Sequence, residues 1–523
     1  MYHHSFFLAL LVESEVTPYL FILTSVFFVL RRFLKFQPVS KETTQRLPGP
    51  RGLPCVGSAL SLARYQSSLH LKFASMAKKY GNMFRMSLGS AEVVVLSDAD
   101  LIRDAFRMEQ FSARPDMLFV KEIVSGNGLI LSEGALWKEQ RRFALQQLRH
   151  FGMYRLAKQQ DQLTEKITKE IHQFMLVLEE KQGIPLNLDS YLSSVMGNII
   201  CTIIASKRFE YSDPTFSKCL KTMEEGFRLV QLAMGINFIP FLRSIPVMNK
   251  IYLKIKRNDV DTKAFFRSLI SEHAKTMEPG KTRDFVDAYL HHIQRLQKED
   301  QDTASYFSDA QMMQCVIDLF SAGMETTKVS LQWAFLYISL NSDIQSRLQQ
   351  ELDAVVGTER RPTMDDLPNL PYMEATICEV LRKSSVAPLG SPHAASEDTI
   401  FKGYLIPKGT TIFPNFWAVH NDEKLWKDPK RFDPERFLVK GQVEKPPFFM
   451  PFSSGRRVCL GEQLAKAEIF LVFSTVLQRF SLSIPACDKT PDCEGVLGMT
   501  LTPKPYRLLV TKRPSASALL KPA

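Results

Sequence analysis

Phe452-Ser453-Ser454-Gly455-Arg456-Arg457-Val458-Cys459-Leu460-Gly461 is a turn-rich segment that runs directly into helical periodicity over 462–480. A thiolate needs surroundings that stabilise its charge. A helix N-terminus, backbone N–H groups and nearby guanidinium groups all lower a cysteine pKa. Glycines at 455 and 461 let the backbone approach a flat ligand, and Phe452 can shield the sulfur from water. The segment is suited to presenting Cys459 as a soft anionic ligand to a transition metal. The alternative is a buried structural cysteine, the more frequent role for a cysteine taken at random.

The spacing F-x-x-G-x-R-x-C-x-G resembles the haem-binding signature of the cytochrome P-450 family, with every specified position present. The resemblance implies haem b, with Cys459 as the axial thiolate to iron and Arg457 as a partner for a haem propionate. Other segments match the family. Glu379-Val380-Leu381-Arg382 sets an acid and a base one helical turn apart. With Phe432-Asp433-Pro434-Glu435-Arg436-Phe437 it is similar to a buried Glu–Arg–Arg cluster that locks haem-side loops without doing chemistry. Phe320-Ser321-Ala322-Gly323-Met324-Glu325-Thr326-Thr327 lies in a long apolar helix, where a glycine costs about 1 kcal/mol against alanine. The family pattern there implies a locally widened helix that admits O2 beside Ala322, with Glu325 and Thr326 as the acid–alcohol pair relaying protons. Trp137 and Arg141 share a helical face and, by resemblance, are propionate donors, as are Arg114 and His393. His393 as an iron ligand is excluded by the same resemblance, which needs the opposite coordination site open.

The wider composition agrees. The chain has 523 residues, 45% of them hydrophobic and 23% charged, which excludes disorder, collagen and a pure coiled coil. Eight cysteines stand singly with no CxxC, so there is no disulfide scaffold, and a reducing compartment is expected. Helical periodicity covers 135–151, 157–180, 191–206, 308–340, 343–356, 371–384 and 461–480, with strands near 92–96 and 400–407. The expected fold is mainly α with small β-sheets (α+β). It comprises a membrane anchor (1–36), a basic, proline-rich strap (37–54), one large haem domain (55–513) and a short tail (514–523).

Net charge is +11, and residues 31–51 carry an excess of five positive charges immediately after the uncharged run Val16–Leu30. A basic collar beside an apolar segment suits an anionic membrane surface, and a nucleic-acid partner is not expected. Acidic Glu13 and Glu15 precede the run, so the positive-inside rule places the body in the cytosol. A cleaved signal peptide and a mitochondrial transit peptide both lack their signatures here. With Pro388-Leu389-Gly390-Ser391-Pro392-His393, the anchor and strap look like the microsomal branch. The resemblance therefore implies the endoplasmic reticulum membrane.

The implied reaction is RH + O2 + NADPH + H+ → ROH + H2O + NADP+, on a lipophilic steroid, sterol, fatty acid or xenobiotic. No Gly-rich dinucleotide fingerprint is present, so electrons must come from a partner. NADPH–cytochrome P-450 reductase is expected, with cytochrome b5 as a second donor. Lys138, Arg142 and Arg149 offer it a basic face. Candidate substrate walls are Met117–Ile130, Phe227–Phe241, Phe320–Ser321, Ser384–Leu389 and Leu497–Met499. Two readings compete with a monooxygenase: a haem-thiolate isomerase or dehydratase needing no reductase, and a non-enzymatic membrane-bound haem or lipid carrier. An intact Glu325–Thr326 pair weighs against the isomerase.

Overall fold

The computed structural model describes residues 46–118, 120–152, 162–278, 280–299 and 302–514. The anchor at 1–36 and most of the basic collar lie outside them. Among the described residues no helix is long and apolar enough to cross a membrane.

Helices dominate, as the periodicity requires. Those that position the site are, in order, α1 (Leu69–Tyr80), α2 (Ala99–Arg107), α3 (Gly134–His150), α4 (Gln162–Glu180), α5 (Asp189–Ala205) and α6 (Pro214–Leu232). They continue as α7 (Pro246–Lys275), α8 (Phe285–Glu299), α9 (Asp309–Leu340), α10 (Ser342–Val355), α11 (Pro371–Ser384) and α12 (Glu462–Arg479). Most ends have a local cause. The Asp98 carboxylate caps α2 by accepting from the N–H groups of Asp100 and Leu101 at 3.0 Å. Ser308 caps α9 by accepting from Gln311 N–H at 3.2 Å, and Pro371 occupies the first position of α11.

The main sheet joins strands from near residue 90 with strands from near residue 400. Strands β1 (Met83–Leu88) and β2 (Ala91–Leu96) form an antiparallel pair, Met83 opposite Leu96. Strand β4 (Thr411–Pro414) adds in parallel to β2, Val93 opposite Thr411. The short β3 (His393–Ala394) pairs antiparallel with β4, His393 opposite Ile412. A second pair, β5 (Phe480–Ser483) and β6 (Leu509–Lys512), follows α12. The strap is fastened to β1, because Arg85 donates its N–H to Pro48 O at 2.9 Å and its Nε to Leu47 O at 3.1 Å.

α9 runs through the largest apolar cluster. Its 32 residues span about 48 Å at 1.5 Å per residue. The helix is α-helical without interruption, so the widened turn expected at Ala322–Gly323 does not occur. Gly323 has a packing reason instead. A Cβ there would lie 2.6 Å from Ile200 Cδ1, so the missing side chain lets α5 lie close against α9.

Candidate active site

The segment before α12 forms a tight turn. Gly455 has φ +75°, and a Cβ on it would sit 2.1 Å from Phe106 O, so glycine is required by the end of α2 rather than by a flat ligand. At Gly461, by contrast, a Cβ would meet no atom within 4 Å. Cys459 N–H donates to Phe452 O at 3.0 Å, closing the turn three residues before α12. The Cys459 side chain is packed among protein atoms on most sides yet retains open surface, as expected of a group lining a recess.

The expectation of a lowered thiol pKa is not met by the protein alone. Burial pushes the Cys459 thiol up, and the Gly461 N–H, Arg141 and Lys466 only partly offset it. A bound metal cation would favour the thiolate there.

Arg141 in turn lies within electrostatic reach of Arg114 and Arg457, so three guanidinium groups converge. Arg457 donates to Ser112 O and Ser132 O, each at 2.6 Å. It lies 4.1 Å from the centre of the buried Trp137 ring. Arg114 donates to Ile130 O at 2.8 Å and Pro392 O at 2.7 Å. Arg141, on α3 with Trp137, donates to Val458 O at 2.6 Å. Loops near residues 112, 130, 392 and 458 are thus held together by cations on carbonyl oxygens. The carboxylate close to Arg114 and Arg457 is Glu133, which accepts from Arg114 N–H at 2.9 Å. The electrostatic consequence is large. Burial and then Arg114 bring Arg457 down to about 8, and burial and then Arg141 bring Arg114 down to about 10. Two buried cations that share one carboxylate call for an anionic ligand, and the paired carboxylates of haem b fit that need.

His393 is buried on β3, stacked on Phe106 with ring centres 3.8 Å apart, and its Nδ1 lies 2.7 Å from Phe111 O. A carbonyl only accepts, so Nδ1 carries the proton. Burial, followed by Arg114, lowers its pKa to about 3, so the ring is neutral until an anion approaches.

On α9, Ala322 is exposed and Thr326 half-buried on a helix otherwise largely buried. Thr326 Oγ1 donates to Ala322 O at 2.7 Å. Glu325 lies on a different face of α9. It accepts from Thr500 Oγ1 at 3.2 Å and pairs with the buried Lys328 at 3.0 Å. Lys328 also reaches Glu224 of α6 at 2.9 Å and Asp189 of α5 at 3.5 Å. Phe320, expected in a substrate wall, is core, packed edge-on to Phe266 with ring centres 5.1 Å apart. A separate groove of about 530 Å³ includes Phe209, Lys218 and Phe265 and none of these residues.

Several positioning residues were not singled out by sequence reasoning. Asp318, an acid in an apolar helix, accepts from Leu129 and Ile130 N–H at 2.7 and 2.9 Å and so fixes the loop whose carbonyls the arginines hold. Its anomaly in an apolar run was the available signal. Glu468 of α12 is 1% exposed and accepts from Thr327 Oγ1 at 3.0 Å. His420 accepts from Met450 N–H at 3.2 Å, so its Nδ1–H donates to Ser385 Oγ at 3.0 Å, tying α11 to the loop before the cysteine. Arg382 holds Glu379 at 2.7 and 2.8 Å, and Arg436 Nε lies 3.0 Å from the same carboxylate. These groups form the expected buried triad.

Comparison with known proteins agrees with this arrangement. The family model for Cytochrome P450 matches residues 47–510. Cytochrome P450 18a1 of Drosophila melanogaster is 38% identical over 478 residues, covering 91% of this chain and 88% of that protein. Cytochrome P450 2J5 of Mus musculus is 37% identical over 468 residues, covering 89% and 91%. Cytochrome P450 2J2 of Homo sapiens is 36% identical over 507 residues, covering 96% and 97%.

Proposed function

The chain belongs to the cytochrome P450 family and is therefore a haem-thiolate monooxygenase; from that premise we propose that it hydroxylates a lipophilic substrate at the endoplasmic reticulum membrane. Electrons come from NADPH through cytochrome P-450 reductase, with cytochrome b5 as a second donor. The observation that supports the reading best is the accessible Cys459 thiol beside the buried guanidinium groups of Arg114 and Arg457, which share Glu133 as their carboxylate. When bound, haem supplies the insertion of one atom of O2 into the substrate, the other leaving as water.

The residues of the chain have distinct parts in this reading. Cys459 binds iron. Arg457, Arg114, Arg141, Trp137 and His393 receive the propionates, with His393 becoming a donor from both nitrogens as an anion raises its pKa. Ala322, small and exposed, would leave room for O2 beside the bound group. Thr326 Oγ delivers protons, with Glu325 as its acid partner in the relay.

The membrane part of the proposal rests on Val16–Leu30 and the basic collar. It is supported by exposed apolar side chains on two neighbouring segments, Leu53, Leu60 and Leu71 on one and Phe241, Val247 and Leu253 on the other. Gln231 Nε2, at the end of α6, donates to Gln66 O at 3.2 Å and joins the first of these segments to α6. For electron transfer, Lys138 and Arg142 are exposed on α3 and pair with Glu109 and Glu139. Such pairs contribute little and exchange readily for a partner's carboxylates.

The test is spectroscopic and then kinetic. The reduced protein with CO should show the absorption band of thiolate ligation, and Cys459→Ala should lose it. Thr326→Ala should keep the band while more NADPH is consumed to give peroxide. Absence of the band in the haem-supplied protein overturns the reading. Unchanged coupling in Thr326→Ala removes Thr326 from the relay. Turnover of a hydroperoxide with no electron donor would favour an isomerase.

A further inference from the structure

At the opposite end of α12 from the cysteine turn stands an arginine whose Nη2 has no hydrogen-bond acceptor among the described residues. Arg479 is 3% exposed, and its Nη2 is buried without a partner. The carbonyls of the last turn of α12 are already occupied. Arg513 donates its N–H to Arg479 O at 2.9 Å and its Nη1 to Gln478 O at 2.9 Å, and Gln349 Nε2 donates to Leu477 O at 3.3 Å. The carboxylate that acts on Arg479 is Glu179, and it accepts from Lys512 Nζ at 2.8 Å.

Two further donors are brought to the same place. Gln478 Nε2 donates to Gly357 O and Arg360 O, both at 2.7 Å, which draws the loop after α10 onto the end of α12. Arg361 then reaches across to α4, its Nη2 lying 2.8 Å from His172 Nδ1. A guanidinium only donates, so Nδ1 accepts and the neutral ring carries its proton on Nε2. Burial, then Arg361, then Arg479 hold the His172 pKa below its ordinary value, and Arg361 likewise depresses Arg479. The three groups therefore lie within electrostatic reach of one another. His172 and Arg361 are half-buried, so the cluster can be reached from solvent.

We propose that His172, Arg361 and Arg479 form a binding site for a small oxyanion of phosphate type. The three side chains present N–H donors and two positive charges, and the described residues provide no carboxylate dedicated to them. A buried guanidinium without an acceptor is costly, and a bidentate oxyanion is the ligand geometry that relieves it. The site is independent of the haem chemistry. Free phosphate and the phosphate of a lipid headgroup share the required chemistry.

The test uses the haem-loaded protein and inorganic phosphate at constant ionic strength, reading the thermal unfolding midpoint. In the wild type the midpoint should rise with phosphate and, beyond saturation, keep rising on the order of 1 °C per tenfold increase. Arg479→Met should abolish the response. In phosphate-free buffer this variant should unfold at the same temperature as the wild type or higher, since it removes an unpaired buried charge. Arg361→Gln, at a half-buried position, should weaken the response at least tenfold without altering the phosphate-free midpoint. Co-sedimentation with phosphatidylcholine vesicles, with and without phosphatidic acid, separates the sources. Loss of acid-dependent binding in Arg479→Met assigns the site to lipid phosphate, and equal binding leaves it to the free anion. A phosphate response of equal size in wild type and Arg479→Met, or none in the wild type together with equal vesicle binding, overturns the proposal.

Discussion

Replacing Glu468 by glutamine should make the stability of the protein less dependent on pH. Glu468 is 1% exposed on α12, Thr327 Oγ1 donates to one of its oxygens at 3.0 Å, and the other is buried without a partner. Burial therefore pushes its carboxyl up from 4.5 to about 8. In the unfolded chain the group ionises near its ordinary value. Between those two limits the folded state holds a proton that the unfolded state has released. Stability accordingly falls as pH rises through this window, by about 1.4 kcal/mol per unit. From pH 5.5 to 7.5 the loss from this one side chain is roughly 3 kcal/mol. Glutamine keeps the shape and the acceptor for Thr327 but has no proton to lose. The two proteins should have similar stability near pH 5, and the variant should gain with each step up in pH, levelling above pH 8. Denaturant unfolding of the haem-loaded pair at four or five pH values measures this directly. A stability difference that does not change with pH would show that Glu468 is ionised in the folded state, and the account of the α9–α12 contact would fail.

Three other substitutions test the frame of the site. Gly455→Ala places a methyl group against Phe106 O at a backbone angle that L-residues rarely adopt, so little CO-binding protein should be recovered on expression; wild-type recovery would contradict the geometry. Glu379→Gln leaves the fully buried Arg382 beside a neutral amide and should cost about 3–5 kcal/mol in urea unfolding. A loss under about 1 kcal/mol would mean that the arginine finds its compensation elsewhere. Lys328→Met and Glu224→Gln, made singly and together, should show a coupling of about 1–3 kcal/mol, because the ion pair between α9 and α6 is buried on the lysine side. Additive losses would show that the two residues do not interact.

Much of the architecture was legible along the chain. The periodicity expected at 135–151, 191–206, 343–356 and 371–384 corresponds to α3, α5, α10 and α11 within one or two residues. Those helices follow from caps, prolines and apolar spacing, which act over a few residues. The turn before α12 could likewise be read from residues 452–461, because its glycine and cysteine are neighbours in the chain. The helices α1, α2, α6, α7 and α8 were not singled out; α7, for one, is polar along much of its 30 residues, so its amphipathic stripe is weak.

The electrostatics of the site had a different origin. Arg114 meets Pro392 across 278 residues and Arg457 meets Ser132 across 325, so the cation cluster exists only once the loops are packed together. Lys328 reads locally as an ordinary i, i+3 partner of Glu325 and becomes a buried three-way tie when α5 and α6 close over it. Glu468 gives no local sign that it will hold a proton at neutral pH. Backbone conformation depends mostly on adjacent residues, and the local order of turns and helices can be read from the chain. Charge state depends on desolvation and on groups brought from distant segments, and those are set only by the packed fold.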